Sequence, residues 1–227
     1  MPDTLRVLAR RIEHCELCPR LREHCARIAA AKRRAYRDWD YWGKPVPSFG
    51  DPAARLVIIG LAPGAHGANR TGRMFTGDSS GDFLYRVLHE TGFASRPESV
   101  ARGDGLELID CYITASARCA PPDNKPTRVE LANCRPYLER ELKLLPNTRV
   151  VVALGRIAFD TYLSILEDSG GVEKKSAFRF GHNLSYEVGG TLIASYHPSR
   201  QNTSTGRLTL AMLKAVFHRA RRLLAQQ

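Results

Sequence analysis

No hydrophobic run in these 227 residues is long enough to cross a bilayer as a helix, and the N-terminal "MPDTLRVLARRIEHC" lacks the apolar core of a secretion signal. A cytoplasmic chain is expected, and six cysteines in a reducing compartment are not a disulfide framework. Neither nucleotide-loop signature occurs: G-x-x-x-x-G-K-[ST] and G-x-G-x-x-G are both absent. There is no internal repeat and no low-complexity tract, which excludes solenoids and disordered arrays. Acidic residues are in short supply. Twenty-three Asp and Glu face thirty-four Lys and Arg, a net charge of +11. A chain this basic is expected to meet a polyanion, held through release of counterions from its phosphates.

Several short segments alternate in period. "RLVIIG" reads as a strand buried on both faces, and "ELIDCYITAS" and "RVVVALG" repeat that pattern. "LSYEVGGTLIASYHPS" reads as a hairpin. Between them, "GDFLYRVLHETGF", "TRVELANCRPYLERELKLL", "RIAFDTYLSIL" and the tail "RLTLAMLKAVFHRARRLLA" read as helices. Thr4 is a candidate N-cap for a first helix, and Thr127 with Glu130 forms a capping box, while Pro136 is expected to kink or divide its helix. The order predicts one α/β domain over residues 1–227, a mostly parallel sheet with helices on both faces, with residues 1–50 as an N-terminal segment. Ligands of such folds bind beyond the carboxyl ends of the strands. Three such ends carry chemistry here: the loop after Gly60, the segment from Thr114, and "HPSRQNTSTGR".

The loop "GLAPGAHGANRTGRMFTGD", residues 60–78, holds five glycines and no lysine, so it reads as a pocket wall rather than a phosphate cradle. Gly64 after Pro63 lets backbone approach a ligand closely. Phe75 offers a flat face for stacking, Asn69 a polar contact, and Asp78 is the one acid of the loop, with an alternative role as a helix N-cap. In the second segment His197 follows a strand, Pro198 fixes the turn, and a neutral imidazole there is suited to donate to a developing anion. Ser199 and Asn202 are small donors for phosphate oxygens, and Arg200 and Arg207 add charge. Cys15 and Cys18 form C-x2-C, and Cys119 and Cys134 a second, wider pair. Four thiolates are suited to zinc or to an iron–sulfur cluster, although the wide spacing departs from a zinc ribbon. Cys25 and Cys111 lie inside a helix and a strand pattern and read as small apolar residues.

Taken together, "GLAPGAHGANRTGRMFTGD", "CAPPDNKP", "HPSRQNTSTGRLT" and the four cysteines resemble the uracil-DNA glycosylase superfamily, and are most similar to its family 5, the broad-specificity iron–sulfur branch. The resemblance implies a three-layer αβα sandwich that hydrolyses the bond between a damaged base and deoxyribose. It also implies a [4Fe–4S] cluster on Cys15, Cys18, Cys119 and Cys134. Leu61 stands where family 4 relatives have a water-activating glutamate, Ala62 where other families have Asp or Asn, and Ala115 where relatives have the asparagine that reads uracil. These departures imply substrates beyond uracil, such as hypoxanthine.

On this reading the base leaves the duplex stack. Phe75 stacks on it, backbone amides at Ala62–Ala65 hold base or water, and Ala115 lines the place of the missing reader. His197 steadies the charge on the departing base, and Asp78 positions the water. Arg70, Arg73, Arg200 and Arg207 neighbour phosphates, residues 200–202 enter the space left in the duplex, and Arg219, Arg221 and Arg222 extend the footprint if they share that side. The expected partner is DNA containing a deaminated base, bound by a monomer without any membrane. The competing function is a DNA-binding module of the same fold with little catalysis. A covalent base-removing relative is disfavoured because no "KRRIH"-like insertion occurs.

Overall fold

Leucine, valine and isoleucine fill β2 (Leu56–Gly60) without interruption, and every residue of it is buried. β3 (Cys111–Ala115), β4 (Val150–Leu154) and β6 (Thr191–Ser195) are likewise buried along their whole length. A strand with no solvent-facing residue needs cover on both faces, which a parallel sheet obtains from its crossover helices. In the computed structural model, which describes residues 4–226, the six strands run in the order β1-β3-β2-β4-β6-β5. The inner four are parallel. The edges are antiparallel: β1 (Phe49–Gly50) on β3, and β5 (Leu184–Glu187) on β6 as the expected hairpin.

The alternation along β2 divides the core in two. Leu56 and Ile58 face one cluster with Leu84, Leu88, Val216 and Phe217, residues of α4 (Ser79–Glu90) and α8 (Leu210–Ala225). Val57 and Ile59 face the other with Leu138, Phe159 and Leu163, residues of α5 (Arg128–Leu144) and α6 (Arg156–Asp168). Each fully buried aliphatic or aromatic side chain in these layers contributes roughly 1.5–3 kcal/mol. The three-layer αβα architecture is therefore present as expected.

The N-terminal segment is two helices, α1 (Leu5–Glu13) and α2 (Pro19–Ala31). Thr4 caps α1 by accepting from the Val7 amide, and Pro19 opens α2 at the position where a missing N–H costs nothing. α1 packs on α5, and α2 on the short α3 (Ala68–Thr71). The Thr127–Glu130 capping box forms, and Glu130 also accepts two bonds of 2.7 Å from Arg20, tying α2 to α5.

Of the two outcomes expected at Pro136, division of the helix does not occur. Pro136 neither ends nor divides α5, which runs unbroken through it. Pro136 and Ala132 both sit on the exposed side, so the carbonyl that the ring deprives of a partner is left to water. Cys134, Leu138 and Glu141 meanwhile bury the other side of the helix.

The consequence for chemistry lies in register. Gly60 aligns with Ala115, and Leu154 with Ser195. Four parallel strands thus end at one rim, and the segments that follow them start from it. A further short helix, α7 (Arg200–Ser204), forms within the segment after β6.

Candidate active site

At this rim the glycine-rich loop and the segment after β6 enclose a cavity of about 700 Å³. Leu61, Ala62, Gly64, His66, Phe75 and Asp78 of the loop line it together with His197, Ser199 and Arg200. A smaller cavity of about 310 Å³ shares Leu61 and His197 and is lined further along by Tyr196, Asn202 and Arg207.

Phe75 takes a left-handed backbone, φ 53°, which is costly for a bulky side chain. What holds it there is the strand end beneath. A Cβ on Gly60 would collide with the Phe75 ring. The missing side chain at Gly60 is therefore the seat of the ring. From that seat Phe75 stacks on His197, with ring centroids 5.7 Å apart and planes at 28°.

His197 is steadied from behind. Its carbonyl accepts 2.8 Å from Asn202 Nδ2, while Ser199 caps α7 by accepting from the Asn202 amide. The imidazole itself makes no hydrogen bond among the described residues. Burial pushes its pKa down to about 4, because the charged form loses its water. At neutral pH it is a neutral ring with one N–H to give.

Of the two roles that the sequence left open for Asp78, the helix N-cap is present. Its Oδ1 accepts from the amides of Ser80 and Gly81 at 3.1 and 3.0 Å and so caps α4. Its Oδ2 makes no hydrogen bond among the described residues and lies against the loop, where a Cβ on Gly64 or Gly67 would strike it. Burial pushes this carboxyl's pKa up, against the two amides and the Arg70 charge that pull it down.

Four expected contacts are corrected. Asn69 is fully buried, and its Nδ2 donates to the carbonyls of Cys25 and Ala65 at 3.3 Å each, so it ties α2 to the loop instead of facing a base. Arg70, 4% exposed, lies between the rings of Tyr36 and Trp39 and does not reach solvent phosphates. Arg73, 3% exposed, is closed in by Asp104 at 2.6–2.8 Å, Ser99 and Thr76. Burial pushes Asp104 up, yet the bonds from Arg73 and from three backbone amides outweigh it and hold that carboxyl well below the usual range. Ala115 is buried in the core opposite Gly60 and does not line the cavity. Asn202 also turns inward, onto His197. Arg200 and Arg207 remain exposed, the latter 4.7 Å over the Tyr196 ring. Arg219 donates to Asn183 O and Arg221 to Thr91 O, so both pin α8 to its neighbours.

Cavity residues missed in the sequence include Asp123, Asn124 and His66. Asp123 and Asn124 both take left-handed backbone in "PPDNKP" and stand on the rim. That pair between prolines was a turn signal, since Asp and Asn tolerate this conformation. Tyr41 accepts from the Arg33 amide at 3.4 Å and its hydroxyl lies 3.0 Å from His66 Nδ1.

Cys15, Cys18, Cys119 and Cys134 come from the α1–α2 link, the start of α2, the segment after β3, and α5; none forms a disulfide. The last three are buried, and Asn133 Nδ2 lies 3.5 Å from Cys18 Sγ. Burial pushes the Cys134 thiol up to about 11, and the neighbouring Cys18 and Cys15 push the same way. Cys25 is more than a filler. Its Sγ donates to Ala120 O at 3.6 Å, and the neighbouring Cys119 thiol pulls its pKa down while being pushed up itself. Among the described residues no three His, Cys, Asp or Glu side chains close on a point that would hold one ion.

Comparison with known proteins agrees with this geometry. Residues 47–221 match the family model described as the uracil DNA glycosylase superfamily. A type-5 uracil-DNA glycosylase of Thermus thermophilus is 54% identical over 211 residues, covering 92% of this chain and 93% of that one. One of Mycobacterium bovis is 48% identical over 215 residues, covering 93% and 79%. A type-4 uracil-DNA glycosylase of Pyrobaculum aerophilum is 31% identical over 164 residues, covering 70% and 74%.

The state of His197 is directly measurable. Imidazole carbon shifts followed by NMR should titrate near pH 4 at this ring; a midpoint near the ordinary 6.5 would contradict the buried, neutral donor. Strand ends that gather a ring, a neutral imidazole and a capping carboxylate around one cavity accord with the match along most of the chain: it belongs to the uracil-DNA glycosylase superfamily.

Proposed function

We propose that this chain is a uracil-DNA glycosylase of the type-5 kind, a repair hydrolase that cleaves the N-glycosidic bond of uracil and of other deaminated bases such as hypoxanthine in DNA. One observation carries the reading: Phe75, the unpartnered His197 ring and the unbonded Oδ2 of Asp78 share one cavity at the carboxyl rim of the sheet.

The base enters this cavity by leaving the stack, and Phe75 receives its face. As the bond to the sugar lengthens, negative charge collects on the base oxygens and positive charge on the sugar. A neutral imidazole donates to that oxygen without having to lose a full proton, and burial keeps the bond strong. Asp78 Oδ2 holds the attacking water and, as an anion, steadies the sugar cation. Leu61 and Ala62 bring no carboxylate, and of the two that line the cavity Asp78 is the less exposed, Asp123 standing on the rim. With Ala115 withdrawn into the core, no amide at that position demands a uracil edge. This supports a broad choice of base. Arg200, Arg207 and Ser199 meet phosphates, and the chain works as a cytoplasmic monomer on DNA.

Single-turnover cleavage of matched duplexes carrying uracil, hypoxanthine or no lesion tests this. The wild-type should yield abasic product from both lesions. His197→Ala and Asp78→Asn should each lose roughly 10²–10³-fold in rate with DNA affinity kept within a few-fold. Tight binding without abasic product would favour the non-catalytic module.

We also propose that Cys15, Cys18, Cys119 and Cys134 hold a [4Fe–4S] cluster. The donor set suits such a group: four free cysteines, three of them buried, with Cys15, Cys18 and Cys119 each near enough to Cys134 for their charges to act on one another. When bound, the cluster supplies four iron–thiolate bonds that staple α1–α2 to α5 and to the segment after β3. Anaerobically purified protein should contain about four irons and four sulfides per chain. A colourless preparation with one zinc per chain would defeat the assignment.

A further inference from the structure

The loop carrying Phe75 and leading into Asp78 leaves the rim at Gly60 and returns to it, and its two ends need a tie. Arg70 supplies one. Its Nε donates to His66 O at 2.8 Å and its Nη2 to Gly77 O at 2.8 Å. One rigid guanidinium thus joins the start of the loop to the residue immediately before Asp78. The fit is close: Gly77 has φ +83°, and a Cβ there would strike Arg70 Nη2. The flat faces of the guanidinium are closed by aromatic rings of the N-terminal segment, with Tyr36 at 3.9 Å and Trp39 at 4.1 Å from Cζ. Its Nη1 is buried and has no hydrogen-bond partner among the described residues.

An arginine so enclosed is a large commitment for merely closing a loop. Two backbone carbonyls do not neutralise a cation, and among the described residues no carboxylate forms an ion pair with it. We propose that Arg70 is a positioning residue for the glycosidic cleavage, setting the place and the ionised state of Asp78 through the Gly77 carbonyl and its own charge, and that the Tyr36–Trp39 clamp holds it to that task. The inference rests on the role given to Asp78 above.

Other charges face Asp78 as well. Asp82 stands one turn along its own helix, and Arg33, His66, Asp123, His197 and Arg200 line the same cavity. His197 and His66 both have lowered pKa values and are neutral at neutral pH. Arg33, Arg200 and Asp123 stand at the solvent side, where screening weakens them. Arg70 is the buried cation of the set, and it acts on Asp78 in a direction opposite to desolvation.

The test is the pH profile of single-turnover uracil cleavage for the wild-type, Arg70→Met, Arg70→Lys and Trp39→Leu, with DNA affinity and thermal midpoint measured for each. An Asp78 that must be ionised gives a rate that falls as pH falls through its pKa. Removing the nearby cation raises that pKa. The acid limb of Arg70→Met should therefore move up by about one pH unit, with DNA affinity within twofold of wild-type. Arg70→Lys should bring the limb part of the way back toward wild-type, and Trp39→Leu, which loosens the clamp from outside the loop, should move the limb in the direction of Arg70→Met by less. A rate lowered by one factor at every pH would overturn the inference in favour of a purely structural role. So would an affinity loss at unchanged rate, which would make Arg70 a DNA contact. Asp78→Asn distinguishes the underlying reading: if that variant cleaves with the wild-type limb, Asp78 is not the titrating group and both fall together. If it abolishes the limb while Arg70→Met leaves the limb in place, the proposal for Arg70 alone fails.

Discussion

The seat of Phe75 on Gly60 is the constraint from which the site follows. Gly60 ends β2 in register with the end of β3, and only a residue without a side chain there leaves room for the ring. Once seated, the ring meets His197, which leaves β6 at the same rim. The cost of a left-handed phenylalanine, about 1–3 kcal/mol, is borne by packing in the loop around it. Strain of this kind fixes a ring in one orientation before any base arrives, so less ordering is needed on binding.

The charge of the chain divides between a buried and an exposed population. Arg70 and Arg73 are enclosed, and Arg118 forms an ion pair of 2.6 Å with Glu141 in which both side chains are nearly inaccessible. Arg118 also donates to Thr114 Oγ1 and Ser48 Oγ, so it fixes the segment from β3 to Cys119. Removing one partner of such a pair costs about 3–5 kcal/mol, because the other charge is left unpaired in the interior. These arginines shape the site but take no part in counterion release. On the proposed function, the grip on DNA is left to exposed residues such as Arg200 and Arg207.

The strands were legible because a parallel strand covered on both faces has to be apolar throughout, as "LVIIG" and "VVVAL" are. The helix over 128–144 was legible from its capping box, but its passage through Pro136 was not: whether a freed carbonyl reaches water depends on which side of the helix packs. The convergence of Phe75 and His197 followed from the rule that ligands gather at strand carboxyl ends. The misplacement of Arg70, Arg73 and Asn69 has one cause. A polar residue in a loop near a site has the same one-letter code whether it faces a ligand or a partner. The partners here lie far off in the chain: Tyr36 and Trp39 for Arg70, Asp104 for Arg73, Cys25 for Asn69. Asp78 was readable only as two alternatives, and the structure shows why they need not compete: Oδ1 caps the helix and Oδ2 is left without a hydrogen bond among the described residues. Asp123 and Asn124 announced a turn, and nothing local said that the turn would overlook the cavity.

The central claim is that Phe75 and His197 act as one unit upon a single extruded base. A double-mutant cycle on the single-turnover rate with Phe75→Leu, His197→Ala and the combined variant measures this directly. The account predicts a coupling of about 1 kcal/mol or more, the double variant being less impaired than the product of the two single losses. Losses that simply multiply would show two independent residues, and would contradict the account.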